Sequence, residues 1–337
     1  MEIIKINKLV KEYRTNKRYT GTFGALKTLF SKEYICNKAV DEISFVINEG
    51  DSIGYLGPNG AGKSTMIKML TGILVPTSGD IQVNGMIPYK NRKEIAKKIG
   101  VVFGQRSQLW WDLPVIDSFE LHKYIYKISE YDYRSKIEEF VELMDMKDFL
   151  NKPVRQLSLG QRMRAEIALA LLHSPTILFL DEPTIGLDVL AKHNIRKFLR
   201  NINKQKNVAV FLTTHDLKDI EEICDRIIIV NQGKSVFDGH ILQLKKDTGT
   251  MNKRVTIEFY TDPGQLQISN AKLISDEGVR KKYEFIHTDI QGAGVMKSIM
   301  GIKHQDKIKD ISIEEMSIEE IIHKVFVNLN QNIEIRV

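Results

Sequence analysis

At 337 residues, 42% hydrophobic and 27% charged, with 8 Pro and 22 Gly, the chain has the composition of a globular protein of about two domains, which excludes disordered and collagen-like classes. No stretch approaches the roughly 18 apolar residues of a bilayer crossing, the start Met1-Glu2-Ile3-Ile4-Lys5 lacks the features of a signal peptide, and Cys36 and Cys224 fit no metal-ligand spacing, so a reduced, cytoplasmic setting is expected. A net charge of +6 suits phosphate ligands or an anionic membrane surface and is too weak to argue for nucleic acid.

Strands are expected at Ile3–Ile6, Ile43–Ile47 and Ser52–Leu56, the last running into a glycine-rich turn and a helix from about Gly62 to Leu70. Between the first two lies a basic insertion, residues 14–38, carrying a local charge of +5. Within it Phe23, Leu26, Phe30 and Tyr34 fall at helical spacing. Such a face lies against anionic headgroups or a partner, or is a solvated insertion with a small core of its own. Gly79–Gly85 reads as a hairpin, and a helical subdomain is expected over about 106–170. The apolar runs Thr176–Leu180, Val208–Leu212 and Arg226–Val230 read as strands buried on both faces. Together these give an α/β fold with a mostly parallel sheet over 1–240. Lys245–Gly249 reads as a linker to a small α+β domain, 250–337, closed by a helix from Ser317 with Glu320 completing a capping box.

Gly57-Pro58-Asn59-Gly60-Ala61-Gly62-Lys63-Ser64-Thr65 fits G-x-x-x-x-G-K-[ST] between a strand and a helix. Its glycines let backbone N–H groups converge on a phosphate, Lys63 reaches β- and γ-phosphates, and the Ser64 hydroxyl suits Mg²⁺. Asp181 and Glu182 end an apolar strand, at the sheet edge where the phosphate loop also sits. There Asp181 can reach the Mg²⁺ shell and Glu182 can polarise a water. Ser158, with the backbone N–H groups of Gly160 and Gln161, either makes a second anion site at a helix start or is a simple N-cap. His215 follows a strand at the same edge, and Gln105 follows Val101-Val102-Phe103.

Taken in order, the phosphate loop, Gln105, Leu157-Ser158-Leu159-Gly160-Gln161, Asp181-Glu182, Gly186-Leu187-Asp188 and His215 resemble the motifs of an ABC-type ATPase with its mixed sheet and helical subdomain. The resemblance covers residues 1 to about 240 and implies ATP and Mg²⁺ as ligands. It implies a Q-loop role for Gln105, a signature role for Ser158, Gly160 and Gln161 on ATP held by another subunit, a D-loop role for Asp188 and a switch role for His215. Tyr13 matches the adenine-stacking aromatic, with Tyr34 the alternative because the 14–38 insertion is long. Leu159 stands where the family usually has glycine.

Phe103–Pro114, with its Trp110-Trp111 pair, resembles the bacterial ABC-2-type exporter ATPases, as do Leu159–Arg164, Glu182–Asp188 and Asp310–Ile321. This resemblance implies an ATP hydrolase that forms a homodimer, or a heterodimer with a paralogue, around two ATP. It also implies a separate membrane permease, with the chain peripheral on the inner face of the cell membrane. Trp110 and Trp111 either anchor that permease or pack within the helical subdomain. The alternatives are an importer ATPase with a C-terminal regulatory domain and a non-transport ATP switch.

Overall fold

Short apolar runs with no polar alternation pair best where both faces are covered, and four of them form the centre of this protein. A computed structural model describes residues 1–16, 34–104, 107–247, 253–285, 297–299, 301, 305–315 and 317–334. Strands β1 (Glu2–Asn16), β2 (Tyr34–Asn48) and β4 (Ser78–Val83) form an antiparallel sheet in the order β2-β1-β4. A second sheet has the order β5-β6-β7-β3-β8-β9, from β3 (Ser52–Leu56), β5 (Ile99–Phe103), β6 (Ile177–Asp181), β7 (Ala209–Thr213), β8 (Arg226–Asn231) and β9 (Lys234–His240). Strands β5 through β8 are parallel, with Phe103 opposite Asp181, and Asp181 opposite Thr213. The carboxyl ends of these strands therefore meet at one edge, where β3 releases the chain into the phosphate loop.

One apolar core joins the two sheets. Phe45 of β2, Tyr55 of β3 and Phe211 of β7 are buried with ring centroids 5.3–6.4 Å apart, and Met66 and Ile67 of α1 (Lys63–Leu70) pack into the same cluster. Each such side chain contributes about 1.5–3 kcal/mol by leaving water, which makes the platform under the phosphate loop stiff. The remaining helices of this unit are α2 (Arg92–Ala96), α3 (Val115–Tyr126), α4 (Glu130–Leu143), α5 (Leu159–Leu171), α6 (Val189–Lys206) and α7 (Leu217–Ile223). Helices α3, α4 and α5 lie within the expected helical subdomain.

Several expectations change. Strands β1 and β2 continue into the basic segment as an antiparallel ribbon, described as far as Asn16 opposite Tyr34. Tyr34 is thus a strand residue rather than part of a helical face, while Phe23, Leu26, Phe30 and the rest of 17–33 lie outside the described residues. Backbone pairing with β1 decides the conformation of residues 34–38, and at Tyr34 it outweighs the apolar spacing. Gly79–Gly85 contributes one strand, β4, which pairs with β1. Its turn, with Asn84 and Gly85 at positive φ, closes only a bridge to Met86. Lys245–Asp247, read as linker, belong to helix α8 (Ile241–Asp247).

The chain divides between Gly239 and His240. The second unit holds an antiparallel sheet in the order β11-β12-β10-β13, from β10 (Lys253–Phe259), β11 (Ala271–Asp276), β12 (Arg280–Phe285) and β13 (Ile308–Glu315). Val255, Ile257, Phe259, Tyr283 and Phe285 form its core, and the unit ends in α9 (Ile318–Glu334). Ser317 Oγ accepts from the Glu320 N–H at 3.3 Å, but the Glu320 carboxylate accepts from Arg254 Nη1 at 2.6 Å. A charged donor on β10 thus takes the carboxylate that a capping box would use. Among the described residues no helix is long and apolar enough to cross a membrane.

Candidate active site

The phosphate loop folds as its glycines require. Gly62 takes φ +95°, and a Cβ there would sit 2.0 Å from the Ala39 carbonyl oxygen. Gly62 also caps α1 without a side-chain hydrogen bond, so the first-turn N–H groups of the helix remain available to an anion. Lys63 is buried, and its Nζ donates to the carbonyls of Gly57 at 2.7 Å and Pro58 at 3.2 Å. Burial lowers the Lys63 pKa from the usual ammonium range, and the nearby charges of Glu182 and Asp181 oppose that shift. The loop borders a cavity of about 590 Å³ whose lining also includes Ala39, Glu182, Ile185 and His215. Replacing Lys63 with Ala removes a charged hydrogen bond of about 1.5–3 kcal/mol to a phosphate. Nucleotide affinity measured by titration calorimetry is expected to fall roughly 10- to 100-fold.

Glu182, the residue after β6, lines this cavity, whereas Asp181, the last residue of the strand, is not in the lining and reaches it through Ser64. Ser64 Oγ donates to Asp181 Oδ1 at 3.3 Å, and Thr213 Oγ1 donates to the same oxygen at 2.5 Å. These are hard oxygen donors of the kind Mg²⁺ takes. Among the described residues no group of three or more His, Cys, Asp or Glu could hold a metal by itself. A cation at Ser64 and Asp181 would therefore be shared with a bound phosphate, so the residues fit the group. Glu182 follows in left-handed backbone, φ +58°, an uncommon conformation for a non-glycine residue. Its N–H donates to the Thr213 carbonyl at 2.9 Å, and its Oε2 pairs with His215 Nδ1 at the cavity wall.

The structure does not bring every expected residue to this cavity. Ser158–Gln161 are not in its lining. Instead Ser158 and Gln161 close a capping box at the start of α5, with Gln161 N–H to Ser158 Oγ at 3.2 Å and Ser158 N–H to Gln161 Oε1 at 2.9 Å. The Gln161 N–H, expected to be free for an anion, is therefore engaged. Leu159 packs on the turn before α6, where a Cβ on Gly186 would lie 3.0 Å from Leu159 Cδ2, and Asp188 caps α6 by accepting from the Ala191 N–H at 2.8 Å. Tyr13 is partly exposed on β1 opposite Asn37, outside the lining, and Gln105 lies outside the described residues. Trp110 and Trp111 are 53% and 54% exposed, which sets aside their packing inside the helical subdomain.

Sequence reasoning missed the buried network beneath the Glu182–His215 pair. Asp219 is fully buried and accepts from Thr184 Oγ1 at 2.5 Å, Thr214 Oγ1 at 2.9 Å and Arg196 Nε at 2.6 Å. Arg196 also donates to Asp216 at 3.0 Å, and Lys192 donates to the same Asp216 oxygen at 2.7 Å. One carboxylate thus ties together the loop after Glu182, the loop of His215 and the helix that Asp188 caps. The signal available in the sequence was Lys192 and Arg196 one turn apart, matched by Asp216 and Asp219 three apart.

A family model described as ABC transporter matches residues 40–185. The bacitracin transport ATP-binding protein BcrA of Bacillus licheniformis is 31% identical over 287 residues, covering 85% of this chain and 88% of that protein. The chain belongs to the ABC transporter family. The ABC transporter ATP-binding protein NatA of Bacillus subtilis is 31% identical over 207 residues, covering 61% of this chain and 84% of the relative. Among solved structures, an ATP-binding cassette in a dimeric post-hydrolysis state bound to ADP and Pi matches with a TM-score of 0.60 and 26% identity. That match covers 71% of this chain and 99% of the cassette. As the ATP-binding subunit of an ABC transporter, this chain binds and hydrolyses ATP and works with a membrane-spanning permease.

Proposed function

We propose that this subunit drives export through a separate ABC-2-type permease by closing a head-to-tail dimer around two ATP. The observation that carries the reading is the position of the signature turn. Leu159 and Gly160 pack beside Gly186 and Ala191 on either side of Asp188, and Ser158–Gln161 line no part of their own phosphate cavity. A helix start attracts anions, and a phosphate of ATP held by a second copy or a paralogue supplies one. In each site Lys63 and the phosphate-loop amides hold the triphosphate, and Tyr13 stacks on the adenine. Ser64 and Asp181, with Gln105, would hold Mg²⁺, which would supply charge neutralisation for the triphosphate. Glu182 takes a proton from the attacking water as the β,γ P–O bond breaks, and His215 steadies the γ-phosphate. Ser158, Gly160 and Gln161 approach from the other subunit and complete the stabilisation of charge.

Exposed Trp110 and Trp111, which follow Gln105 closely in sequence, support a partner-facing surface where large amphipathic rings serve as anchors. The export branch rests on the sequence pattern around these tryptophans and on Leu159–Arg164. The chain then sits peripherally on the cytoplasmic face of the membrane through the permease. Purifying the tagged chain from its native membranes tests the partner. A multi-helix permease is expected to co-purify without a solute-binding protein, and replacing Trp110 and Trp111 with Ala should reduce its recovery several-fold. Recovery of a permease together with a solute-binding protein assigns import instead, and recovery of no membrane protein overturns the reading.

A further inference from the structure

Glu166 lies near the middle of α5, is 3% exposed, and has no role in the chemistry above. Its carboxylate accepts from the Ser107 hydroxyl, and the Gln108 N–H donates to its Oε1 at 3.0 Å and its Oε2 at 3.1 Å. Burial pushes this carboxyl above the usual range, while the hydrogen bonds from Ser107 and the backbone oppose that shift. A carboxylate removed from water costs several kcal/mol unless donors replace the solvent. Among the described residues, the hydrogen-bond donors come from one short segment of chain. That segment runs directly into Trp110 and Trp111.

The rest of the segment is pinned as firmly. The Trp110 N–H donates to Ser118 Oγ at 3.0 Å, the Arg155 N–H donates to the Trp111 carbonyl at 3.0 Å, and the side chain of Leu109 is buried. Two exposed indoles thus stand on a backbone without slack. From Glu166 back to Ser158 is eight residues of continuous helix, about 12 Å. A helix over that distance transmits displacement with little bending, because its hydrogen-bond ladder and the packing of Ala165, Ile167 and Ala168 hold it straight.

From this geometry we infer that Glu166 is a positioning residue that locks the Trp110–Trp111 surface to the signature helix, so that engagement of Ser158 by nucleotide moves both tryptophans. The inference rests on the nucleotide-sandwich reading and adds to it a mechanical link through one carboxylate. Cutting the link should leave each end intact and uncouple them. Glu166→Gln keeps the shape but turns an acceptor into an NH₂ donor facing the Gln108 N–H, and Ser107→Ala removes the second arm without touching α5.

The chain holds only two tryptophans, so its tryptophan emission reports on this surface alone. The test uses the full chain carrying Glu182→Gln, with saturating Mg-ATP, tryptophan emission and acrylamide quenching read on samples whose dimer fraction is measured by gel filtration. The parent should shift its emission or quenching as it dimerises. Adding Glu166→Gln or Ser107→Ala should cut that change at least threefold, with ATP affinity and dimer fraction within about twofold of the parent. A dimer whose tryptophans stay silent in the parent, or respond equally in both tether variants, overturns the inference and leaves the sandwich standing. A parent that stays monomeric removes the sandwich reading and this inference together. Should Glu166→Gln lose its far-UV circular dichroism, Ser107→Ala decides the matter alone.

Discussion

Glu182→Gln is expected to lower ATP turnover by about 10²- to 10⁴-fold, the range general-base catalysis supplies, while ATP still binds. Gln has the size of Glu and retains an oxygen for the His215 pairing, but it cannot take a proton from the attacking water. Nothing that holds the triphosphate is touched, because Lys63 and the α1 N–H groups belong to another segment. The left-handed backbone at φ +58° costs the same for either side chain. Binding without cleavage should therefore accumulate the ATP-bound dimer on gel filtration. Isothermal titration, a phosphate-release assay and chromatography together separate the possible outcomes. Turnover within tenfold of the parent removes Glu182 as the base. Lost turnover with a monomer at saturating Mg-ATP keeps the base and removes the dimer clamp. On the proposed roles, His215→Ala should cost less than Glu182→Gln, because it removes a hydrogen bond to the γ-phosphate and leaves the base.

The phosphate loop was legible because its chemistry is local. Eight consecutive positions fix both the backbone path and the groups presented, and Gly62 at φ +95° beside Ala39 shows why no side chain fits there. Strand β6 was legible because burial on both faces leaves only apolar residues until Asp181. The signature turn was only half legible. Its helix start was evident, but whether Gln161 offers its N–H outward or folds back on Ser158 depends on a side-chain choice that spacing does not encode. Leu159 in place of glycine made sense only beside Gly186, 27 positions away in sequence and in contact in space. At Tyr34, which alone of the helically spaced apolar set lies among the described residues, long-range pairing with β1 decided the conformation. Glu166 looked like an ordinary charge on a helix. Nothing in its neighbourhood in sequence shows that Ser107 and Gln108, more than 50 residues earlier, replace its water.

The buried ion pair under the catalytic edge leads to the second large effect. Arg196 is 6% exposed and Asp219 fully buried. Removing one partner leaves the other charged, desolvated and without its main counter-ion, a loss of about 3–5 kcal/mol in such settings. Asp219→Ala also strips Thr184 Oγ1 and Thr214 Oγ1 of their acceptor. It should therefore be at least as damaging as Arg196→Ala, whose lost guanidinium leaves Asp219 with those two hydroxyls. At roughly 2–4 °C per kcal/mol for a unit of this size, thermal unfolding of the ATPase unit should fall on the order of 10 °C. Arg196→Lys should fall between, because an ammonium cannot present the forked donors that reach Asp219 and Asp216 together. Pairing Arg196→Met with Asp219→Leu removes both charges, and it should recover much of the lost stability without recovering turnover. In the double variant the loops of Glu182 and His215 no longer share an acceptor through Thr184 and Thr214, so the Glu182–His215 pair is less well held. Calorimetry beside ATP turnover at 25 °C separates the two roles. A double variant that regains both stability and full turnover would reduce the network to packing. One that regains stability alone would show that the buried carboxylate holds the catalytic edge in register.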